Sequence, residues 1–267
     1  MQVFQKHVDF EAVIHAASPF HDKFDDPNEL LDPAIKGTTG ILKAIAKYAP
    51  TVRRVVITSS FASMVNENKA PEVYDETCWN PVSWDDATTK RNQAYRGSKT
   101  FAEKAAWEFM AKEKPNFDLV TICPPMVYGP IVHKISSLAA VNTSNQRILD
   151  FIQGKYSHGD LPSTGTLMWI DVRDLAAAHV KAVEVEAAGG QRFFATGGHY
   201  SNKTLVDAIK DTHPELASRL PTNPVDELFD KQYTFDNTKI KQVLGMQFRP
   251  LHDCVDATVA SLLELGA

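Results

Sequence analysis

Tyr95 and Lys99 are the residues whose types and spacing most directly suggest chemistry. They lie four apart in Gln93-Ala94-Tyr95-Arg96-Gly97-Ser98-Lys99-Thr100-Phe101-Ala102-Glu103-Lys104. Apolar residues recur from there at Phe101, Ala105, Ala106, Phe109 and Met110, with charges between them, a period that predicts a helix. On a helix, residues four apart project from one face. A phenol is a poor acid near neutral pH, with an ordinary pKa of about 10. A Lys cation beside it favours the phenolate and moves the group towards acid–base work. A surface Tyr packed on an aliphatic Lys stem has the same spacing, so the pair needs context before it carries a function.

The context is the stretch Arg53-Arg54-Val55-Val56-Ile57-Thr58-Ser59-Ser60. Its short β-branched run predicts a buried parallel strand that delivers small hydroxyl side chains at its carboxyl end. Ser60 at a strand end with Tyr95 and Lys99 on a helix resembles the catalytic triad of the short-chain dehydrogenases/reductases. His15-Ala16-Ala17-Ser18-Pro19-Phe20, Tyr95 to Trp107, Pro124 to Pro130 and Trp169-Ile170-Asp171-Val172-Arg173-Asp174 extend the likeness. They resemble the extended branch of that superfamily and, within it, the fungal NADPH-dependent aldehyde and methylglyoxal reductases. The likeness runs from Val3 to the last helix.

The resemblance implies an α/β fold, a Rossmann-type doubly wound parallel sheet missing its first strands, with a smaller mixed substrate lobe. It divides the chain into a dinucleotide-binding part, residues 1–130 and 167–198, and a substrate lobe, residues 131–166 and 199–267. It implies NADPH as cofactor and a small aldehyde or ketone as substrate. Ser60, Tyr95 and Lys99 take the catalytic roles: Tyr95 protonates the nascent alkoxide, Ser60 hydrogen-bonds the carbonyl oxygen, and Lys99 lowers the Tyr95 pKa and holds the nicotinamide ribose. Cofactor contacts fall on Ala16, Ala17, Thr58, Tyr95, Lys99, Pro124, Val127 and Ser144, and substrate contacts on Phe20, Phe61 and Met126. The family more often has Asn where Cys123 stands and an aromatic where Met126 stands.

Composition narrows the alternatives. The chain has 267 residues, 43% hydrophobic and 23% charged, which suits one soluble α/β protein with a smaller lobe. A net charge of −5 gives no reason to expect nucleic acid or an anionic membrane as partner. Three widely spaced cysteines and no C-x-x-C argue against a disulfide framework or a zinc site and suit a reducing compartment, so cytoplasm is the expected setting. No run has the length of a membrane span, and none of the nine His falls in a metal-ligand spacing.

Read in order, Gln2 to His7 predicts the end of a helix, Glu11 to Ala17 a strand, and Pro27 to Tyr48 a long helix. Gly37 and Gly40 in that helix mark a close approach to the sheet. Phe61 to Asn92 reads as loop, with Trp79 and Trp84 as packing anchors. Phe117 to Cys123 predicts a strand. Gln146 to Gln153 predicts a helix capped near Asn142 to Ser144, whose start would suit either a cap or a phosphate. Trp169 to Glu186 predicts a helix, with Arg173 and Asp174 structural. A strand at Arg192 to Thr196 and helices at Asn202 to Asp211, Lys239 to Leu244 and Cys254 to Leu265 complete the chain.

One expected part has no counterpart. No G-x-G-x-x-G or G-x-x-G-x-x-G occurs, and the first glycine is Gly37. The resemblance therefore implies a strand–glycine–helix segment ahead of Met1, roughly sixty residues if two βαβ units are involved. Two readings of function stay open: an oxidoreductase, or a non-catalytic remnant or binding module. Within the first, a dihydroflavonol- or cinnamoyl-CoA-reductase-like activity is the runner-up. The sequence leaves the oligomeric state open.

Overall fold

The structure is a computed structural model that describes residues 2–6, 9–18, 24–158, 161–228 and 233–267. The chain falls into two compact units: Met1–Pro124 with Ala178–Ala195 and Tyr233–Met246, and Pro125–Ala177 with Thr196–Gln232 and Gln247–Ala267.

The first unit is built on a parallel sheet. In chain order it contains helix α1 (Gln2–Lys6), strand β1 (Ala12–His15), helix α2 (Asn28–Tyr48), β2 (Arg54–Thr58), β3 (Val73–Tyr74), α3 (Trp84–Thr89), α4 (Arg91–Glu113) and β4 (Asp118–Cys123). The numbering runs on through β5 (Met126–Tyr128), α5 (Thr143–Ile152), β6 (Met168–Asp171), α6 (Val172–Glu184), β7 (Arg192–Phe194), β8 (Gly198–His199), α7 (Asn202–Thr212), β9 (Thr234–Phe235), α8 (Thr238–Leu244) and α9 (Leu251–Glu264). The main sheet has the order β1-β2-β4-β7, all parallel, and β3 pairs with β9 beside it. Parallel neighbours need long crossovers, which here are helices.

Side-chain alternation along β2 sorts its residues onto two faces. Val55 and Ile57 join Leu42 and Ile45 of α2, Ala106 and Phe109 of α4, and Leu119 of β4 in one core. Completely burying a Val or Ile side chain stabilises by about 1.5–3 kcal/mol, so this short strand anchors the sheet. Arg54 and Thr58 face the other way. The Arg54 guanidinium donates to Asp118 at 2.6 and 2.9 Å and to the carbonyls of Ala182, Val185 and Glu186. It therefore caps the carboxyl end of α6, where a cation is favoured. Gly189 permits the clasp, because a Cβ there would run into Asp118 and Arg54.

The second unit holds β5 and β6 in parallel and β8 antiparallel to β6. Phe151 and Ile152 of α5, Leu205 and Ile209 of α7, and Val255, Val259 and Leu262 of α9 form its core. Asp171 accepts hydrogen bonds from the Arg173 backbone and guanidinium, and Asp174 accepts from the Arg249 backbone at 2.7 Å. Gly129 has a φ of 141°, a value suited to glycine, and an added Cβ would meet Val172.

Several local expectations need correction. Trp169–Asp171 is strand, and the helix begins at Val172, because Trp169 and Ile170 pair with Met126 and Val127. A Cβ at Gly37 or Gly40 would meet nothing within 4 Å, so neither marks a close approach to the sheet. The side chain of Asn142 makes no cap bond, and α5 already starts at Thr143. The stretch read as loop after Phe61 contains α3, opened by Ser83, whose hydroxyl accepts from the Asp86 amide.

All three cysteines are free. Cys123 and Cys254 are buried and Cys78 is half-buried. Burial raises the pKa of each: Cys123 to about 12, Cys254 further, with Asp171 beside it, and Cys78 where Asp75 adjoins it.

Candidate active site

The carboxyl end of β2 and the first turns of α4 bring the central candidates together. After Thr58 the chain leaves the strand, and Ser60 takes an extended conformation at φ −163°, ψ 154°. Its hydroxyl accepts from the Ala62 amide at 3.1 Å, capping the 3-10 turn Phe61–Ser63. The same hydroxyl is near enough to the phenol of Tyr95 to act on its pKa. One helical turn of α4 then aligns Tyr95 and Lys99, and the Lys99 ammonium donates to the Thr58 carbonyl at 2.9 Å. The strand end therefore fixes the lysine, and the turn that follows it holds the serine against the tyrosine.

The electrostatics differ from the sequence expectation. Burial pushes the Tyr95 phenol above its ordinary value, and the neighbouring Ser60 hydroxyl opposes that shift. The net shift is thus opposite to the lowering expected from Lys99, whose ammonium donates to the Thr58 carbonyl. Lys99 itself is pushed down to about 8 by burial, against the raising influence of Cys123 and Glu103. His15, at the end of β1, is held below its ordinary pKa by burial and by the nearby Lys99 charge. The Thr58 hydroxyl lies 2.7 Å from His179 Nε2. Sequence reading missed both histidines as neighbours of the site. His15 immediately precedes the small residues singled out, whereas nothing local to His179 reveals that α6 brings it to Thr58.

The remaining candidates divide. Ala16 and Ala17 are exposed just beyond β1, and Ser18 Oγ is buried without a partner among the described residues. Pro124 is buried, and its carbonyl accepts from the Phe61 amide at 2.8 Å. Phe61 is only 3% exposed, stacked on Phe194 at 5.5 Å and edge-on to Tyr74 at 4.9 Å. Its ring packs within this aromatic cluster. Phe20 lies outside the described residues. Met126, Val127 and Ser144 belong to the second unit: Met126 packs against that unit's core, Val127 is half-buried on β5, and Ser144 is buried in the first turn of α5.

These residues fit the nicotinamide end of a dinucleotide. Small exposed residues at a strand's carboxyl end, an orphaned Ser18 hydroxyl and a lysine one helical turn beyond the tyrosine are the features such a ligand needs. For the pyrophosphate end, residues 1–267 contain no glycine-rich turn at a helix start.

A family model described as the NAD dependent epimerase/dehydratase family matches residues 1–197. The chain belongs to that family. Among curated relatives of this family member, a ketoreductase, azaE, from Aspergillus niger is 50% identical over 265 residues, 98% of this chain and 78% of the relative. The NADPH-dependent methylglyoxal reductase GRE2 of Saccharomyces cerevisiae is 35% identical, covering 98% of this chain and 79% of its own length. The crystal structure of yeast methylglyoxal/isovaleraldehyde reductase Gre2 complexed with NADPH superposes with a TM-score of 0.90. It shares 34% identity and covers 98% of this chain and 80% of the Gre2 chain.

Proposed function

We propose that this family member reduces a small aldehyde or ketone to the alcohol with NADPH. The observation that carries the reading is the placement of Ser60 just beyond β2, where its hydroxyl acts on the Tyr95 phenol while Lys99 is tied to the neighbouring Thr58 carbonyl. The likeness to a ketoreductase and a methylglyoxal reductase across nearly the whole chain supports it. NADPH, when bound, supplies the hydride that the carbonyl carbon receives. Ser60 donates to the carbonyl oxygen and stabilises negative charge as it develops there. Tyr95 Oη gives that oxygen its proton, so an alcohol leaves and a phenolate remains to be reprotonated. Burial of the phenol keeps the proton on Tyr95 until the oxygen becomes basic enough to take it.

Thr58 and Lys99 would hold the ribose side of the cofactor, with Ala16, Ala17 and Pro124 placed for close backbone approach. The first unit takes the dinucleotide role and the second serves as substrate lobe, where Val127 and Ser144 are assigned to NADPH and Met126 to substrate. A cytoplasmic setting fits the three unpaired thiols. No helix among the described residues is long and apolar enough to cross a membrane.

The test is Tyr95→Phe in the native protein, with NADPH and a small aldehyde. The rate should fall by about 10²–10⁴-fold, with circular dichroism and NADPH binding retained. A Phe variant that keeps most of the activity removes Tyr95 as the acid.

A further inference from the structure

Glu103 lies one helical turn beyond Lys99 on the same stripe of α4 as Tyr95, yet the chemistry above does not use it. It is 2% exposed, and both carboxylate oxygens are fully engaged. Oε1 accepts from Arg192 Nε at 2.7 Å and from the Thr121 hydroxyl at 2.8 Å. Oε2 accepts from the Ser59 hydroxyl at 2.6 Å and from Arg192 Nη2 at 3.1 Å, and Ser63 Oγ lies 2.7 Å from it. Arg192 is immobilised in turn. Its Nη1 donates to the carbonyls of Glu76 and Cys78, and its guanidinium lies 3.8 Å above the Trp79 ring. Strand register explains the convergence: Ile57 pairs with Thr121 and Thr121 with Arg192, so alternation sends Ser59, Thr121 and Arg192 to the α4 side.

The arrangement grips the Ser60 turn on both sides. Ser59 precedes Ser60 and is bound to Glu103. Ser63 follows it, and Ser63 Oγ lies 2.7 Å from the Ser60 carbonyl as well as from Glu103. A buried ion pair is a weak device for stability, since apolar residues of equal volume often serve as well; its best-attested use is to fix one arrangement over others. Burial alone would push the Glu103 carboxyl up, but Arg192, Ser59 and Ser63 hold it below its ordinary value as the anion.

We propose that Glu103, clamped by Arg192, is a positioning residue: it fixes the Ser60 turn to the helix bearing Tyr95, so that the two hydroxyls meet one carbonyl oxygen. The inference rests on the reading of Ser60 and Tyr95 as the catalytic pair. Glu103 touches neither substrate nor cofactor in this scheme and acts through Ser60.

The experiment is a double-mutant cycle in the native enzyme. Glu103→Gln should lower kcat by about 10–100-fold, the penalty of a misplaced group, with the KM for NADPH unchanged. In a Ser60→Ala background the same change should cost nothing further, because the group it positions is already gone. A readout independent of activity is amide exchange at Ala62 and Ser63, whose N–H groups donate to the Ser60 hydroxyl and carbonyl. Exchange there should accelerate in Glu103→Gln while β2 and β4 stay protected. If Glu103→Gln does not fold, the paired replacement Glu103→Met with Arg192→Met carries the test, folded but slow. Full activity of that pair, multiplying losses in the Ser60→Ala background, or unchanged exchange would overturn the proposal while Tyr95→Phe still reports on the reduction itself. A fully active Tyr95→Phe would overturn both.

Discussion

Lys99 is a cation held where water is scarce, and that has a measurable price in stability. Burial moves its pKa from 10.5 to about 8. Between those values the unfolded chain keeps a proton that the folded chain has released, so the unfolded state binds more protons and stability rises with pH across the window. Below it both states are protonated, and the folded state carries the full penalty of a buried ammonium. Tyr95, pushed above its ordinary value, stays protonated throughout. The urea midpoint should therefore rise relative to Lys99→Met between about pH 7.5 and 9.5; a constant difference would mean that Lys99 is not desolvated. The placing of Tyr95 and Lys99 on one helix and of Ser60 just past a strand was legible in the sequence, because helix period and β-branched runs are local signals. Arg192 was not, since only the strand order β2-β4-β7 brings it to Glu103. Glu103 carried a signal that went unread: it repeats the Tyr95–Lys99 spacing once more.

Helix α3 packs tightly against α4 at Gly97, in the same turn as Tyr95 and Lys99. A Cβ at Gly97 would collide with the Ala87 side chain. Alanine is the better helix former by about 1 kcal/mol, but overpacking a tight contact costs about 1–3 kcal/mol, so the contact should win. Gly97→Ala is thus expected to lower the denaturation midpoint, and adding Ala87→Gly should recover part of the loss. A stabilised single variant would show that the helices separate freely. At this scale long periodic segments such as α2, α4 and α7 were readable, and so were the short α8 and β7, whereas α3, β3 and β9 were not. Trp169–Asp171 looked helical because its charged residues run on into a true helix start; only pairing with Met126 and Val127 makes it a strand. Gly37 and Gly40 misled for a different reason: glycine is permissive, so its presence need not mean contact.

For the molecule as a whole, the order of the main sheet matters most. Among the described residues β1 pairs only with β2, and Ile14 on it is 45% exposed. An apolar strand edge invites association. Residues 1–267 also contain no glycine-rich loop to cradle a pyrophosphate. A polypeptide of these residues alone should accordingly bind NADPH very weakly and aggregate readily, as read by calorimetric titration and light scattering beside a version extended with a related amino-terminal segment. Micromolar binding by residues 1–267 would reveal a phosphate site built from other groups. The parallel sheet was legible because its β-branched runs alternate with helical periods; the return of Tyr233–Met246 to the first unit from far along the chain was not. The burial of the thiols reaches further than packing. Thiolates, not thiols, attack small carbonyl compounds. Cys78, Cys123 and Cys254 are all held on the protonated side. A carbonyl compound therefore meets these three side chains as weakly nucleophilic thiols.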